Sequence, residues 1–477
     1  MNTKLLKQKI LDLAIRGKLT QQLKSDGTAA DLLKEIADAK SALSQPKGKK
    51  SKNPEQIIPL DKSEAPFEIP ANWEWVRLGD IARVTTGKTP LKTEKKFYDE
   101  GTIPWVTSSL TSYDYIDKVN VLITEYAVNQ CSLLVYPPGT LVLAMYGEGK
   151  TRGQISELMV SATINQACAA IEIFCKEKVF KQFIKYFHNW NYERIREGAS
   201  GSTQPNLNLN IVQSMMVPLP PLAEQQRIVE KIQEAFAEID SIENNKELLK
   251  THIKQTRQKI LDLAIHGKLV PQNKSDEPAS VLLERITRDN PHYEKIENEP
   301  FEIPENWIWA RINDINFFQS NTENPMLEGN KNRMYELYSV PCFEAKYPEI
   351  VKGTEIGSTK VLVNKGDVLI SKINPHLNRV WCVPQFTEHR MIASSEWIII
   401  RNPEINQSYL VYVLQSGYFL DKMLSNTSGV GGSLTRAKPY EVKKYEIPLP
   451  PLAEQSRIVA KIEELFSTLD QMERNLV

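Results

Sequence analysis

The segment AMYGEGKT, residues 144–151, contains residue types that could bind a nucleotide phosphate. In a phosphate-binding loop, glycines expose backbone N–H groups to the phosphates and a following lysine reaches the same group. Here alanine replaces the first glycine, and no hydrophobic run elsewhere ends in an aspartate suited to hold magnesium. We therefore interpret the match as fortuitous. A nucleotide-dependent enzyme that uses Lys150 remains the more distant alternative.

Other patterns for catalysis or metal binding are missing from the sequence. The five cysteines include no C-x-x-C pair, and their odd number fits neither a disulfide framework nor a zinc site. The six histidines, His188 and His376 among them, show no metal-ligand spacing. There is also no methyltransferase N-P-P-Y/F box and no nuclease-like array of acids. We expect a chain that is not an enzyme and holds no metal or cofactor.

Two large segments, 67–217 and 301–447, share β-branched and aromatic runs but differ in polar loops at equivalent places. Residues 146–154 stand against 373–381, and residues 201–208 stand against 431–438. Side chains of Arg, Lys, Asn, Gln, Ser and Thr distinguish the edges of DNA bases. The candidate DNA-binding residues are Lys150, Thr151, Arg152, Gln154, Gln204, Asn206 and Asn208 in the first segment, and Lys372, Asn374, His376, Arg379, Thr435, Arg436 and Lys438 in the second.

The charge balance argues against this hypothesis. Lysine plus arginine equals aspartate plus glutamate, at 59 each, so the chain has no basic excess for phosphate. Each large segment is balanced as well. DNA binding would need the charges to be segregated on one face, with a partner supplying further phosphate contacts. The alternative for any one of these loop residues is a solvated position without a function.

An internal repeat provides the frame for these loops. QKILDLAIRGKL at 8–19 returns as QKILDLAIHGKL at 258–269, and FEIPANWEWVRLGDI at 67–81 returns as FEIPENWIWARINDI at 301–315. PLPPLAEQQRIV at 218–229 returns as PLPPLAEQSRIV at 448–459. Three blocks recurring in one order predict two copies of one unit. The tryptophans that recur, at positions 73, 75, 307 and 309, are interpreted as core anchors rather than as base-stacking platforms.

Long helices are predicted to join the two copies. Residues 222–269 form one helical pattern, and its second copy is split between 452–477 and 1–19. The apolar residues Val229, Ile232, Phe236 and Ile239 follow coiled-coil spacing. This predicts two antiparallel coiled-coil helices in a circular, pseudo-twofold arrangement, with the chain termini close together. Gly17 and Gly267 are expected to end helices, with a further short helix after each, over 30–36 and 280–286. A helical stretch is also predicted near the end of each large segment, over 178–196 and 407–424.

The predicted fold class is α+β, with two recognition domains separated by the paired helices. The boundaries are 1–40 for the N-terminal helical part, 41–66 for a basic linker, 67–217 for the first domain, 218–270 for the central helix, 271–300 for a short helix and linker, 301–447 for the second domain, and 448–477 for the C-terminal helix. The linker is interpreted as a solvated tether. Because no signal-peptide core or membrane-spanning stretch is present, we expect a cytoplasmic protein that does not contact membrane.

The order of these blocks resembles the specificity subunit of type I restriction-modification systems. The two PLPPLAEQxRIV blocks, the two QKILDLAIxGKL blocks and the two NWxWxRLxDI-like blocks carry the resemblance over nearly the whole chain, although Ile312 and Asn313 depart slightly from the last pattern. The resemblance implies that each domain contacts half of a bipartite double-stranded DNA site. The helices would then set the spacer and dock two methyltransferase subunits.

The resemblance also places all catalysis on partner subunits. The methyltransferase would hold S-adenosylmethionine and methylate adenine, and a motor-nuclease subunit that uses ATP and magnesium would cleave unmodified DNA. The main alternative is a coiled-coil scaffold or anti-restriction decoy that occupies the methyltransferase without reading DNA.

Overall fold

The structure is a computed structural model and describes residues 2–43, 57–61, 63, 65–147, 150–197, 207–290, 293–428 and 435–476. The chain divides into two compact units, Met1–Asn245 and Lys246–Val477. One long helix begins in the first unit and ends in the second. The predicted two copies therefore correspond to two structural units.

The first unit mixes helices with short strands. Its helices are α1 (Thr3–Ile15), α2 (Ala29–Leu43), α3 (Leu78–Ile81), α4 (Glu125–Cys131), α5 (Lys178–Glu197), α6 (Leu209–Gln213) and the first part of α7 (Leu222–Ile265). Its strands are β1 (Glu74–Arg77), β2 (Ala82–Thr86), β3 (Ile103–Val106), β4 (Tyr115–Ile116), β5 (Leu122–Ile123), β6 (Leu141–Ala144), β7 (Ile155–Leu158), β8 (Thr163–Ile164), β9 (Cys168–Ile173) and β10 (Met216–Leu219).

The second unit has a corresponding composition. Besides the end of α7, its helices are α8 (Ala279–Thr287), α9 (Ile312–Ile315), α10 (Gln407–Gln415), α11 (Gly417–Ser425), α12 (Pro439–Val442) and α13 (Leu452–Asn475). Its strands are β11 (Ile308–Arg311), β12 (Thr322–Glu323), β13 (Met334–Tyr338), β14 (Glu349–Lys352), β15 (Lys360–Leu362), β16 (Val368–Ser371), β17 (Val380–Cys382), β18 (Arg390–Ala393), β19 (Trp397–Ile400), β20 (Thr427–Ser428), β21 (Arg436–Ala437) and β22 (Glu446–Leu449). The predicted mixture of helices and strands is confirmed.

The first and last strands of each domain pair with each other. β1 runs antiparallel to β10, with Glu74 opposite Leu219, and β11 runs antiparallel to β22, with Ile308 opposite Leu449. The repeated NWxW and PLP blocks therefore lie side by side although about 140 residues separate them along each copy. This pairing closes each domain immediately before the long helix begins.

A three-strand frame carries the loops that differ. In the first unit β6 pairs with β9 and β7, with Ala144 opposite Cys168; in the second unit β16 pairs with β19 and β17, with Ser371 opposite Trp397. All these pairs are antiparallel. The segments 145–154 and 372–379 are thus the connections of equivalent hairpins, which agrees with the alignment made from sequence.

The long central helix is confirmed: α7 has 44 residues and begins directly after Pro220 and Pro221. α1 ends as predicted at Gly17, whose φ of +65° is in the left-handed region, where only glycine is free of a side-chain penalty. Lys18 N donates to Leu13 O and Gly17 N donates to Ala14 O, which is the Schellman pattern. Gly267 repeats this geometry at the end of α7.

The repeated tryptophans lie in the core, as predicted. Trp73, Trp75, Trp307 and Trp309 are each at most 6% exposed. The Nε1 atom of Trp73 donates to Glu224 Oε2 at 2.8 Å, and that of Trp307 donates to Glu454 Oε2 at 3.0 Å. Each long helix is therefore anchored at its first turn to the first strand region of its own unit.

Two helical segments differ from the sequence prediction. The stretch predicted over 407–424 is broken into α10 and α11, because Ser416 has extended backbone angles and its side chain accepts from Phe419 N as a helix cap. The helix predicted over 30–36 extends to Leu43, so it runs into the range assigned to the linker. Half of that linker, 44–56, lies outside the described residues, as do residues 62 and 64.

Candidate nucleic-acid interface

In the second unit the two loops nominated from sequence lie against each other. Asn374 N donates to Thr435 O at 2.9 Å, and Ala437 N donates to Lys372 O at 2.9 Å. Thr435 N also donates to the side-chain oxygen of Asn374 at 3.3 Å. The hairpin connection 372–379 and the segment 435–438 therefore form one continuous surface, which the sequence had treated only as two separate loops.

Two asparagines shape the hairpin connection. Asn374 and Asn378 both have φ of +49°, in the left-handed region that asparagine tolerates better than most residues, and a short 3₁₀ turn, Pro375–Leu377, lies between them. Asn378 Nδ2 donates to Gln415 O at 2.8 Å and ties the connection to α10. Asn374 thus has a structural role in addition to its nomination as a base-contacting residue.

Charged side chains are displayed on this surface. His376, Arg436 and Lys438 are exposed, whereas Lys372 and Arg379 are half-buried. Both arginines face carboxylates: Arg379 Nε lies 3.3 Å from Glu344 Oε1, and Arg436 Nη2 lies 3.2 Å from Glu396 Oε1. The sequence comparison missed these two acids, because they belong to neither variable loop.

In the first unit, fewer of the predicted DNA-binding residues in the equivalent hairpin connection are exposed. Lys150 is exposed, Thr151 and Gln154 are half-buried, and Arg152 is only 7% exposed. The backbone of Gln154 closes the hairpin, because Ala144 N donates to its carbonyl at 2.9 Å. The guanidinium of Arg152 is therefore packed inside the unit rather than displayed on its surface as a group that reads bases.

The second nominated segment of the first unit is described only in part. Gln204 and Asn206 lie outside the described residues. Asn208 is exposed and is the N-cap of α6, with its side chain accepting from Ile211 N at 3.0 Å. Asparagine is a favoured N-cap, so its type and position before LNIV were a signal for this role.

The structure rules out the phosphate-loop interpretation of residues 144–151. Such a loop connects a strand to the N-terminus of a helix, whose N–H groups hold the phosphates. Here the segment leads from β6 to β7, an antiparallel neighbour of β6. Lys150 is consequently a hairpin residue.

No group of three or more metal-ligating side chains occurs among the described residues.

Burial fixes the charge state of His188, which lies on α5. The ring is completely buried, and this burial lowers the pKa of His188 to about 4. Neither ring nitrogen has a hydrogen-bond partner among the described residues. The side chain is therefore a neutral core residue, whereas the sequence indicated only that it lacks metal-ligand spacing.

One protein-family model matches both units. The family model described as type I restriction modification DNA specificity domain matches residues 70–251 and 304–476. The chain belongs to this family. The first range covers one domain and the larger part of α7, and the second covers one domain and all of α13, so the match repeats as the structural units do.

Curated members of the specificity subunit group align with almost the full chain. The type I restriction enzyme EcoEI specificity subunit of Escherichia coli is 25% identical over 99% of this chain and 90% of its own length. The EcoAI specificity subunit of Escherichia coli is 24% identical over 98% of this chain and 90% of its own length.

A solved structure shares the fold of this family member. A chain from a structural study of complex assembly and conformational transition of the type I R-M system has a TM-score of 0.56 and 19% identity, covering 86% of this chain and 94% of its own. None of the helices in the described residues of this chain is long and apolar enough to cross a membrane.

Proposed function

We propose that this chain is the non-catalytic DNA-reading subunit of a type I restriction-modification complex. Each unit reads one half of a bipartite site in double-stranded DNA. The observation that carries the proposal is the pair of equivalent hairpins: one strand frame is kept in both units, and its connections carry different polar side chains. Two readers of unlike half-sites require this combination, because bases are distinguished by side chains and not by the frame.

The helices are proposed to set the distance between the half-sites. In the first unit Lys7 on α1 lies 2.5 Å from Asp240 on α7, and Thr20 Oγ1 lies 3.2 Å from Glu224, so residue numbers rise along one segment as they fall along the other. In the second unit Arg257 on α7 pairs with Asp470 on α13. These pairs support the proposed antiparallel coiled-coil packing within each unit. The circular arrangement, with the termini close together, is proposed from the sequence repeat.

The partners and cofactors complete the proposal. Two methyltransferase subunits, which hold S-adenosylmethionine, dock on the helices, and a motor-nuclease subunit brings ATP and magnesium. This chain supplies none of these cofactors, and the complex acts in the cytoplasm. The match to the type I restriction modification DNA specificity domain and the similarity to type I specificity subunits support these assignments.

The decisive experiment is single-molecule sequencing of DNA from cells that express the methyltransferase with or without this chain. We expect methylated adenines within one bipartite motif, and only when this chain is present. The scaffold or decoy alternative predicts a stable complex with the methyltransferase and no methylated motif. When residues 373–378 of this chain are replaced by Gly and Ser, one half of the methylated motif should change and the other half should stay intact.

A further inference from the structure

A basic cleft of about 770 Å³ lies in the first unit, away from the hairpin connection. Five basic side chains line it, together with the carboxylates of Glu172 and Glu177: Lys40, Arg83, Lys176, Lys178 and Lys181. Arg83 pairs with Glu172 at 2.8 Å, and Lys181 pairs with Glu157 at 2.5 Å. Lys176 and Lys178 are exposed and take no part in those two pairs. The cleft therefore has a local positive excess in a chain of zero net charge.

The second unit does not repeat this cluster. Strand register, helix starts and the repeated blocks place Asn290, Phe317, Ile405, Gln407 and Leu410 at the five equivalent positions. None of these residues is basic. Because the shared frame does not require cations there, the cluster is not part of the common scaffold and is a feature of the first unit alone.

The position of the cleft relates it to the hairpin connection. β9 begins opposite Ala144, where the hairpin connection starts, and its other end at Ile173 lines the cleft. Six extended residues span roughly 20 Å at about 3.3 Å each. That length corresponds to about six base pairs of B-form DNA at roughly 3.4 Å each. A duplex read at the hairpin can thus pass the cleft about half a turn away.

We infer that this cleft binds the phosphate backbone of the duplex beside the first half-site. The inference rests on the proposed DNA-reading function and adds a contact that carries no sequence information. Cations that neutralise phosphates release condensed counterions, and this release makes affinity fall with salt. Because the chain has equal numbers of acidic and basic residues, it gains this contribution to affinity only where basic side chains cluster, and the cleft is such a cluster. The α5 backbone N–H groups at Lys178 add partial positive charge beside it.

The test compares two double variants of the full chain in complex with its methyltransferase subunits. Lys176→Gln with Lys178→Gln removes the two exposed cations of the cleft. Lys274→Gln with Lys295→Gln removes two exposed lysines of the second unit and is the matched control. Dissociation constants are measured for a duplex that carries the methylated motif and for a scrambled duplex, between 50 and 200 mM salt.

We expect the cleft variant to lose about 1.8 from the slope of log affinity against log salt, since each phosphate contact contributes about 0.9. Raising the salt from 50 to 200 mM should therefore reduce the affinity of the cleft variant by a factor that is about ten times smaller than the factor for the wild type. The methylated motif should stay unchanged, because the contact does not read bases. The control variant should keep the wild-type slope.

Two results would overturn the inference, and they differ from each other. If the wild type prefers the motif duplex while both variants keep its salt slope, the cleft does not bind DNA; loss of methyltransferase from the cleft variant would then identify an acidic protein surface as its partner. If the wild-type complex does not distinguish the two duplexes, the proposed reading function itself fails, and the inference fails with it.

Discussion

The indole Nε1 of Trp73 donates a hydrogen bond to Glu224 Oε2 at 2.8 Å, and both residues are buried. Glu224 Oε1 also accepts from Gln22 at 2.7 Å, so three parts of the sequence meet at the start of α7. The second unit repeats the arrangement with Trp307, Gln272 and Glu454. A buried carboxylate held by these donors fixes where each long helix leaves its domain.

Trp73→Phe should destabilise the first unit more than Trp75→Phe. Both changes remove an indole from a buried site, but Trp75 Nε1 has no hydrogen-bond partner among the described residues. The difference isolates the Glu224 hydrogen bond and should be about 1–3 kcal/mol in the free energy of unfolding, measured by urea denaturation. Equal losses for the two variants would show that the bond contributes nothing.

Gly17→Ala should cost more than Gly366→Ala. Both glycines have positive φ, +65° and +87°, so either alanine carries roughly 1 kcal/mol of backbone strain. A Cβ at Gly17 would also lie 2.4 Å from Pro70 Cγ, whereas one at Gly366 would come no closer than 3.9 Å to its nearest neighbour, Gln407 Cγ. Thermal unfolding should therefore separate the two variants. A melting temperature for Gly17→Ala equal to that of Gly366→Ala would contradict the close contact.

Acid should destabilise the first unit through His188. Since its folded-state pKa of about 4 lies below its ordinary value of 6.5, the unfolded chain binds more protons between these pH values. The free energy of unfolding should therefore fall as the pH decreases from 6.5 to 4, by up to about 1.4 kcal/mol per pH unit from this group. His188→Leu should remove this contribution. If the free energy of unfolding changed with pH in the same way in the wild type and in His188→Leu, His188 would not be a buried neutral histidine.

Arg436→Ala should weaken reading of the second half-site alone. The guanidinium is exposed on the joined surface of the second unit, where Glu396 positions it. Loss of a contact between arginine and a base should reduce discrimination at one base pair by about 1–3 kcal/mol. Methylation sequencing measures this as relaxation at one position. Arg390→Ala is the control, because Arg390 pairs with Glu323 in a different sheet; relaxation at the first half-site would contradict the assignment.

Glu396→Gln separates positioning from contact. Glu396 lies 3.2 Å from Arg436, and its carbonyl accepts from Lys372 N, so it touches both segments of the surface. The neutral amide keeps the shape but loses the ion pair. We expect a smaller loss of discrimination at the same base pair that Arg436→Ala relaxes, read from the same sequencing data. A change at a different base pair would indicate that Glu396 contacts DNA itself.

Much of the fold followed from local pattern. The apolar spacing after Pro220 and Pro221 predicted α7, and the glycines at 17 and 267 predicted helix ends. The β-branched and aromatic runs shared by the two large segments indicated strands at the positions of β6, β9, β16 and β19. The break at Ser416 was missed, because the residues around it keep helical spacing on both sides and only the cap geometry interrupts them. Arg152 was nominated by residue type, and its burial depends on packing that the sequence does not record.

The sequence by itself determined that the chain is two copies of one domain and helix, since a repeated pattern of apolar residues folds in the same way twice. Tertiary structure alone decided which polar residues share a surface. Asn374 and Thr435 meet beside the isolated bridge that joins Ile373 to Arg436. Glu396 comes near the same bridge because β19 pairs with β16, and Lys40 and Lys178 line one cleft although 138 positions separate them in the sequence. Such contacts depend on how sheets and helices pack, and no local spacing of residues encodes them.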